Sequence, residues 1–155
     1  MFTEMRRKDR VMLEEDTKTL LENAPFGILS TVSKSNTPYG VPMSFVYTSE
    51  VIYLHCALEG HKLDNISNCD SVCFNVIDAV ELMPAAFSTK YKSAIVFGKI
   101  IVVKDLEEKR QGLKAILKKY SPEFYEAGLR YIDNAFEKTE VLKIEISLIS
   151  GKARL

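Results

Sequence analysis

Hydrophobic and polar residues alternate in several short runs along this chain, and between the runs lie stretches with the three-to-four spacing of helices. The plainest alternation is near the C-terminus. Leu142, Ile144, Ile146 and Leu148 are separated by Lys143, Glu145 and Ser147, which predicts a strand with one buried and one wet face. Gly151 to Leu155 reads as a short tail. Val51 to Cys56 alternates in the same way, with Val51, Tyr53 and His55 on one side and Ile52, Leu54 and Cys56 on the other. Gly27 to Ser33, Pro38 to Tyr47, Ser71 to Asp78 and Tyr91 to Val103 complete a set of six predicted strands. Ser33 to Thr37 and Thr48 to Glu50 are turns, and Ala79 to Lys90 reads as a loop. Gly98 marks a bend or bulge. Proline cannot donate to a ladder, so Pro42 marks an edge, a bulge, or a place where something other than a strand lies alongside.

Helical spacing predicts four helices. One runs from Glu14 to Asn23 with Leu13, Thr17, Leu20, Leu21 and Ala24 as its inner stripe, and Pro25 stops it. A short one covers about Lys62 to Asn68, with Leu63 and Ile66 on one face. Asp105 caps a third, Glu108 standing three residues on, and its inner face is Leu106, Leu113, Ile116, Leu117 and Tyr120. Ser121–Pro122 starts a fourth, with the stripe Tyr125, Leu129, Ile132 and Phe136. Short, mostly antiparallel strands with helices packed outside suggest a closed or split barrel, between which the pattern does not choose.

The composition narrows the classes. A chain of 155 residues without linker, repeat or low-complexity tract is one domain, 1–155. Acidic and basic residues balance at 21 each, so no global field attracts nucleic acid, and Arg6, Arg7, Lys8 and Arg10 read as a solvated arm or dimer rim. No apolar run has membrane-spanning length, the first ten residues lack a signal-peptide core, and three cysteines form no even framework. A cytoplasmic protein is expected. No metal site is expected either, because His55 and Cys56 face opposite sides of a strand and the thiols read as small buried hydrophobes. Phosphate loops, GxGxxG and nucleophile elbows are missing from the sequence, which argues against nucleotide hydrolysis, a Rossmann dehydrogenase and a serine hydrolase.

The candidate chemistry gathers at Tyr53 to Ile66, where a strand breaks through Ala57 to Gly60 and resumes as a helix. His61 and Lys62 then stand at a helix N-terminus, whose free N–H groups and positive dipole end disfavour cations. A bound phosphate would resolve that conflict. A solvated turn, with Asp64 compensating the dipole, is the alternative these residues leave open.

The pattern His55–x–Ala57–x–x–Gly60–x–Lys62 after a strand resembles the FMN-binding split barrels, above all the pyridoxamine 5′-phosphate oxidase-related proteins of the nitroimidazole-reductase type. Met5–Arg10 (MRRKDR), Val41–Phe45 (VPMSF) and Tyr91–Lys99 (YKSAIVFGK) resemble further segments of that group, in the same order. The resemblance implies a mainly β fold, a six-stranded antiparallel split barrel with Greek-key connections and flanking helices. It implies FMN as cofactor, with His61 and Lys62 on the phosphate and Ala57, Gly60 and Asn65 shaping the loop. Pro42, Met43, Ser44 and Phe45 would lie along the ring and polyol, and Tyr91, Lys92 and Ser93 would add contacts, in this family from a second subunit. His55 would stand beside the ring as the catalytic residue, positioning substrate or moving a proton. A homodimer with two interfacial flavins is implied, reducing a small organic, nitroaromatic acceptor with electrons from a nicotinamide donor. Pyridoxamine phosphate oxidation fits less well, since Arg154 alone does not make that enzyme's C-terminal arginine–histidine element. The chain also departs from the group in having Ala85, Ala86 and Phe87 where relatives carry a Cys–x–Trp-like element, with Phe87 a replacement for the stacking wall. The rival expectations are a haem-binding barrel with His55 or His61 as axial ligand, a flavin store without turnover, and a deazaflavin site.

Overall fold

A computed structural model describes residues 4–155, which include the MRRKDR segment. Among the described residues seven strands form one antiparallel sheet: β1 (Gly27–Val32), β2 (Pro38–Met43), β3 (Phe45–Thr48), β4 (Val51–Cys56), β5 (Ser71–Met83), β6 (Ser88–Val102) and β7 (Glu140–Arg154). Their order is β2-β1-β5-β6-β7-β4-β3. The run β5-β6-β7-β4, with β4 returning beside β7, is a Greek key. Four α-helices accompany the sheet: α1 (Glu14–Asn23), α2 (His61–Asn68), α3 (Leu106–Tyr120) and α4 (Tyr125–Ala135).

The seventh strand comes from splitting the expected Pro38–Tyr47 strand at Ser44. β2 and β3 are the two ends of the sheet, yet only Ser44 separates them in the chain. The sheet must therefore curl until its ends meet at that corner, and the two edges diverge from it as a seam. Inside the curl lies the main core, including Leu29, Phe45, Ile52, Leu54, Phe74, Val76, Val96, Ile100, Leu142 and Ile144, all fully buried or nearly so.

Three further expectations are corrected. Ala79–Lys90 is not a loop: β5 and β6 continue as a paired arm through a bulge between Asp78 and Glu81, and a 3-10 turn at Pro84–Ala86 closes it. The arm carries Val80 and Leu82 exposed, so neither face shows the burial alternation from which a strand is read. Phe87 at its tip is 98% exposed and adopts a left-handed φ of 49°. Second, β7 runs through the expected tail to Arg154, and its alternation does not hold to Leu148. Gly98 pairs with Ile146 but Phe97 with Leu148, so Ser147 is an extra residue; beyond this bulge Ile149 turns inward against the core and Leu148 outward. Gly151 is buried there, and a Cβ on it would lie 1.9 Å from Thr17 Oγ1, so glycine is what lets α1 seat on β7. Third, Leu13 and Leu106, expected on inner stripes, are exposed because they stand just before, or at, the first residue of their helices.

Candidate functional site

The strand–loop–helix segment forms close to its expected bounds. Gly60 is the N-cap of α2, with φ 139°, a conformation that L side chains rarely adopt. Its carbonyl accepts the Leu63 and Asp64 N–H groups at 2.9 and 3.2 Å, and no side chain caps the helix. A Cβ built on Gly60 meets nothing within 4 Å, so the outer side of the loop is open. His61 is exposed and its ring lies 4.2 Å from that of Tyr39 on β2. Lys62 is half-buried and close enough to Cys56 for its charge to act on that thiol, whose pKa burial nevertheless pushes up, with Glu140 adding to the rise. Asn65 is buried and donates to Thr31 Oγ1 at 2.9 Å, which pins α2 to β1 and fixes the loop. Ala57 is exposed on the same loop.

Tyr39 begins a line of residues along β2, whose outer edge has no strand partner among the described residues. From Tyr39 to Met43 is about 13 Å of extended strand. Pro42 stands exposed on this free edge, Met43 packs on the core, and Ser44 is the exposed corner. Phe45 is fully buried, its ring edge-on to Phe74 at 4.8 Å, so only its backbone is near the corner's surface. That backbone is held by Tyr120 at the end of α3. The Tyr120 hydroxyl accepts the Phe45 N–H at 2.8 Å and shares its own proton between the carbonyls of Pro25 (2.8 Å) and Phe45 (2.9 Å).

Phe45 pairs with Leu54, and one step further in that register places Ser44 beside His55. The edge of β2 thus links the basic loop at one end to His55 at the other. His55 faces the helices, as Tyr53 does. Its side chain opens into a cavity of about 460 Å3 walled by α3 and α4, including Leu113, Ile116, Leu117, Tyr120, Phe124 and Ile132. Among the described residues no lysine, arginine or carboxylate lines this cavity. Although the imidazole is open to the cavity mouth, the apolar walls strip water from it and lower its pKa below the ordinary histidine value. The wall is locked to the sheet by Glu108 of α3, whose Oε1 accepts from Tyr53 at 2.9 Å and Lys143 at 2.8 Å. Burial, reinforced by Glu108, pushes the Tyr53 phenol up to about 12.

Tyr91, Lys92 and Ser93 are not brought to this line within one chain. β6 is three strands from β2, and the rung through Val41, Leu29, Phe74 and Val96 leaves Tyr39 on one side and Tyr91–Ser93 on the other. They are separated by roughly 20 Å along the strands and about 14 Å across them. There Ser93 Oγ donates to the Lys152 carbonyl at 3.3 Å. The Tyr91 phenol is pushed up by burial, but hydrogen bonds to Lys152 and Arg10, and their charges, leave it below its ordinary value. Three residues of the site were not legible in sequence: Tyr39 against His61, Tyr120 clamped on Phe45, and Lys119. The Lys119 Nζ is buried without a hydrogen-bond partner among the described residues and lies 3.9 Å from the Phe45 ring centroid.

A curled antiparallel sheet with helices outside, opened along one seam, is the architecture of the split-barrel flavoproteins. Residues 14–153 match the family model described as pyridoxamine 5′-phosphate oxidase, and the chain belongs to that family. Among solved structures it is similar to a candidate 5-nitroimidazole antibiotic resistance protein from Bacteroides thetaiotaomicron VPI-5482, at 26% identity and TM-score 0.81, over 92% of this chain and 86% of that one. It is similar in fold to the flavocytochrome Anf3 from Azotobacter vinelandii, at 19% identity and TM-score 0.81, over 98% and 72% of the two chains. An FAD- and haem-binding protein from Mycobacterium smegmatis shares the fold at 22% identity and TM-score 0.77, over 91% and 71%. No curated protein matches the chain. Among the described residues no helix is long and apolar enough to cross a membrane.

Proposed function

We propose that this chain is an FMN-dependent oxidoreductase that reduces a small, uncharged organic acceptor, a nitroaromatic, with electrons from a nicotinamide donor. What carries this reading is the free edge of β2, with an open basic loop at one end and a neutral histidine over an apolar cavity at the other. The residues fit the cofactor: the uncapped α2 terminus with His61 and Lys62 suits a phosphate, and Pro42 to Ser44 offer an unpaired edge to a ring. When bound, the flavin supplies the two-electron chemistry. His61 and Lys62 would hold the phosphate end, and the Phe45–Tyr120 clamp keeps the Ser44 corner rigid. His55, kept neutral by its surroundings, donates from one ring nitrogen and accepts at the other, and so orients the acceptor. A cavity without a cation has no counter-charge for a phosphorylated substrate such as pyridoxamine phosphate.

The site is completed, in this reading, by a second copy. The outer face of β1, β5 and β6 carries Ile28, Asn75 and Ile95 on one rung, with Ile77 at 53% exposure beside them, an apolar band that dimerisation would cover. Pairing through it would bring Tyr91, Lys92 and Ser93 of one subunit toward the other's loop. The protein is then a cytoplasmic homodimer with two flavin sites.

The test is the visible spectrum of the purified protein, with the heat-released chromophore identified and the mass measured in solution. FMN bound to a dimer supports the reading; a flavin-loaded monomer overturns the interface, and a chain that neither carries nor takes up flavin overturns the whole. His55 in an apolar cavity also favours a second reading, in which its imidazole would ligate a haem iron, and a Soret band would reveal it.

A further inference from the structure

α3 ends in Lys118, Lys119 and Tyr120, where lysines have an ordinary place at the negative end of the helix dipole. Lys119 departs from it. Its Nζ is covered by protein, with no hydrogen-bond partner and no carboxylate among the described residues. The ammonium instead lies 3.9 Å from the Phe45 ring centroid and 5.5 Å from that of Tyr120. Contact with neutral rings recovers only part of the hydration it has given up. Burial lowers its pKa to about 8, which still leaves it charged at neutral pH. A lone buried charge weakens a fold, and such groups persist where function uses them.

The location suggests the use. Phe45 directly follows the Ser44 corner, and Tyr120 fixes Phe45 through both of its backbone groups. We propose that Lys119 is a fixed positive charge behind the wall of the flavin site, favouring the reduced form of a flavin seated against Met43 and Ser44. This rests on the flavin reading above. A hydride from the nicotinamide donor carries two electrons and one proton to a neutral oxidised ring. The donor is oxidised, and the reduced ring is left with one net negative charge. Lys119 need not touch that ring, because a unit charge acts across a low-dielectric wall with little screening.

The experiment compares Lys119→Met and Lys119→Arg with wild type, each reconstituted with FMN. It reads the midpoint potential against redox dyes and the oxidised-FMN affinity by fluorescence. Lys119→Met is expected to lose about tenfold of the preference for reduced over oxidised flavin, or ~30 mV to the negative for a two-electron couple. Lys119→Arg, which keeps the charge, is expected to stay at the wild-type potential. The flavin-free Lys119→Met protein should unfold at the same temperature as wild type or higher, and Lys119→Gln serves if the methionine variant does not fold. An unchanged potential in both neutral variants overturns the inference alone, and so does an equal loss of affinity for both redox forms. A wild-type chain that takes up no flavin overturns the flavin reading and this inference with it.

Discussion

The two ends of the β2 edge are built in opposite ways. At the Tyr39 end, Gly60, His61 and Lys62 are consecutive, the first two open to solvent and Lys62 half-buried, and the positive φ of Gly60 is set locally. At the Ser44 end, His55 sits over a cavity whose walls come from α3 and α4, some sixty to eighty residues further along, and whose titratable lining, among the described residues, is His55 with the phenols of Tyr120 and Tyr131. One end attracts charge and the other excludes it. A ligand that spans both must be anionic at one tip and apolar at the other, which is the division of labour expected where binding energy at a remote group holds a reacting group in place.

That contrast can be broken at either end. The largest effect is expected from His55→Ala, which should lower turnover of a nitroaromatic acceptor by about a hundredfold or more if the imidazole handles a proton. Flavin affinity, measured by fluorescence titration, should stay within about threefold, since no phosphate contact is lost. Loss of flavin with turnover of the remaining holoenzyme intact would make His55 a structural residue. Lys62→Ala should act the other way round. Removing a charged partner of a phosphate, worth ~1.5–3 kcal/mol, weakens FMN binding by about ten- to a hundredfold, and steady-state turnover at saturating flavin should be little changed. Unaltered affinity would refute the anion site.

Tyr120→Phe tests the corner between the two ends. It leaves the buried Phe45 N–H without its partner, for which a loss of about 1–3 kcal/mol is expected in chemical denaturation. The smallest effect concerns pH. Burial holds the His55 pKa below its unfolded value near 6.5. As pH falls below 6.5 the unfolded chain therefore takes up a proton that the folded chain resists, and stability is lost progressively down to the folded pKa. Above 6.5 both states are neutral and the contribution is complete. His55→Gln should flatten that part of the stability–pH curve, and thermal unfolding between about pH 5 and 7.5 would show it. A curve unchanged by the substitution would mean that the cavity does not desolvate the imidazole.

Individual elements show why some of this was readable. Val51–Cys56 alternates, and α1 and α2 have clear ends, because period, cap and stop residues act over a few neighbouring positions. The expected helix at Lys62 begins one residue earlier, at His61. The pattern from Pro38 predicts one strand through Ser44 because apolar character continues into Phe45, Val46 and Tyr47, and nothing local says that the partner strand changes from β1 to β4. The inward position of Ile149 in place of Leu148 depends on the extra residue at Ser147, which only the pairing with β6 reveals. Lys119 stands at a helix end, an ordinary place for a lysine, and only the tertiary contact with the Phe45 ring sets it apart.

The sequence by itself determined the elements, most of their buried faces and the basic loop with its glycine, because each follows from preferences expressed within one or two turns of chain. Tertiary structure alone decided that β2 and β3 are the two edges of one curled sheet, that His55 opens onto an apolar cavity, and that Lys119 lies uncompensated behind the corner. Those features join residues as far apart as Phe45 and Tyr120. Their physical cause is the closure of the sheet upon itself, which fixes where every side chain points but leaves no signature in any single segment.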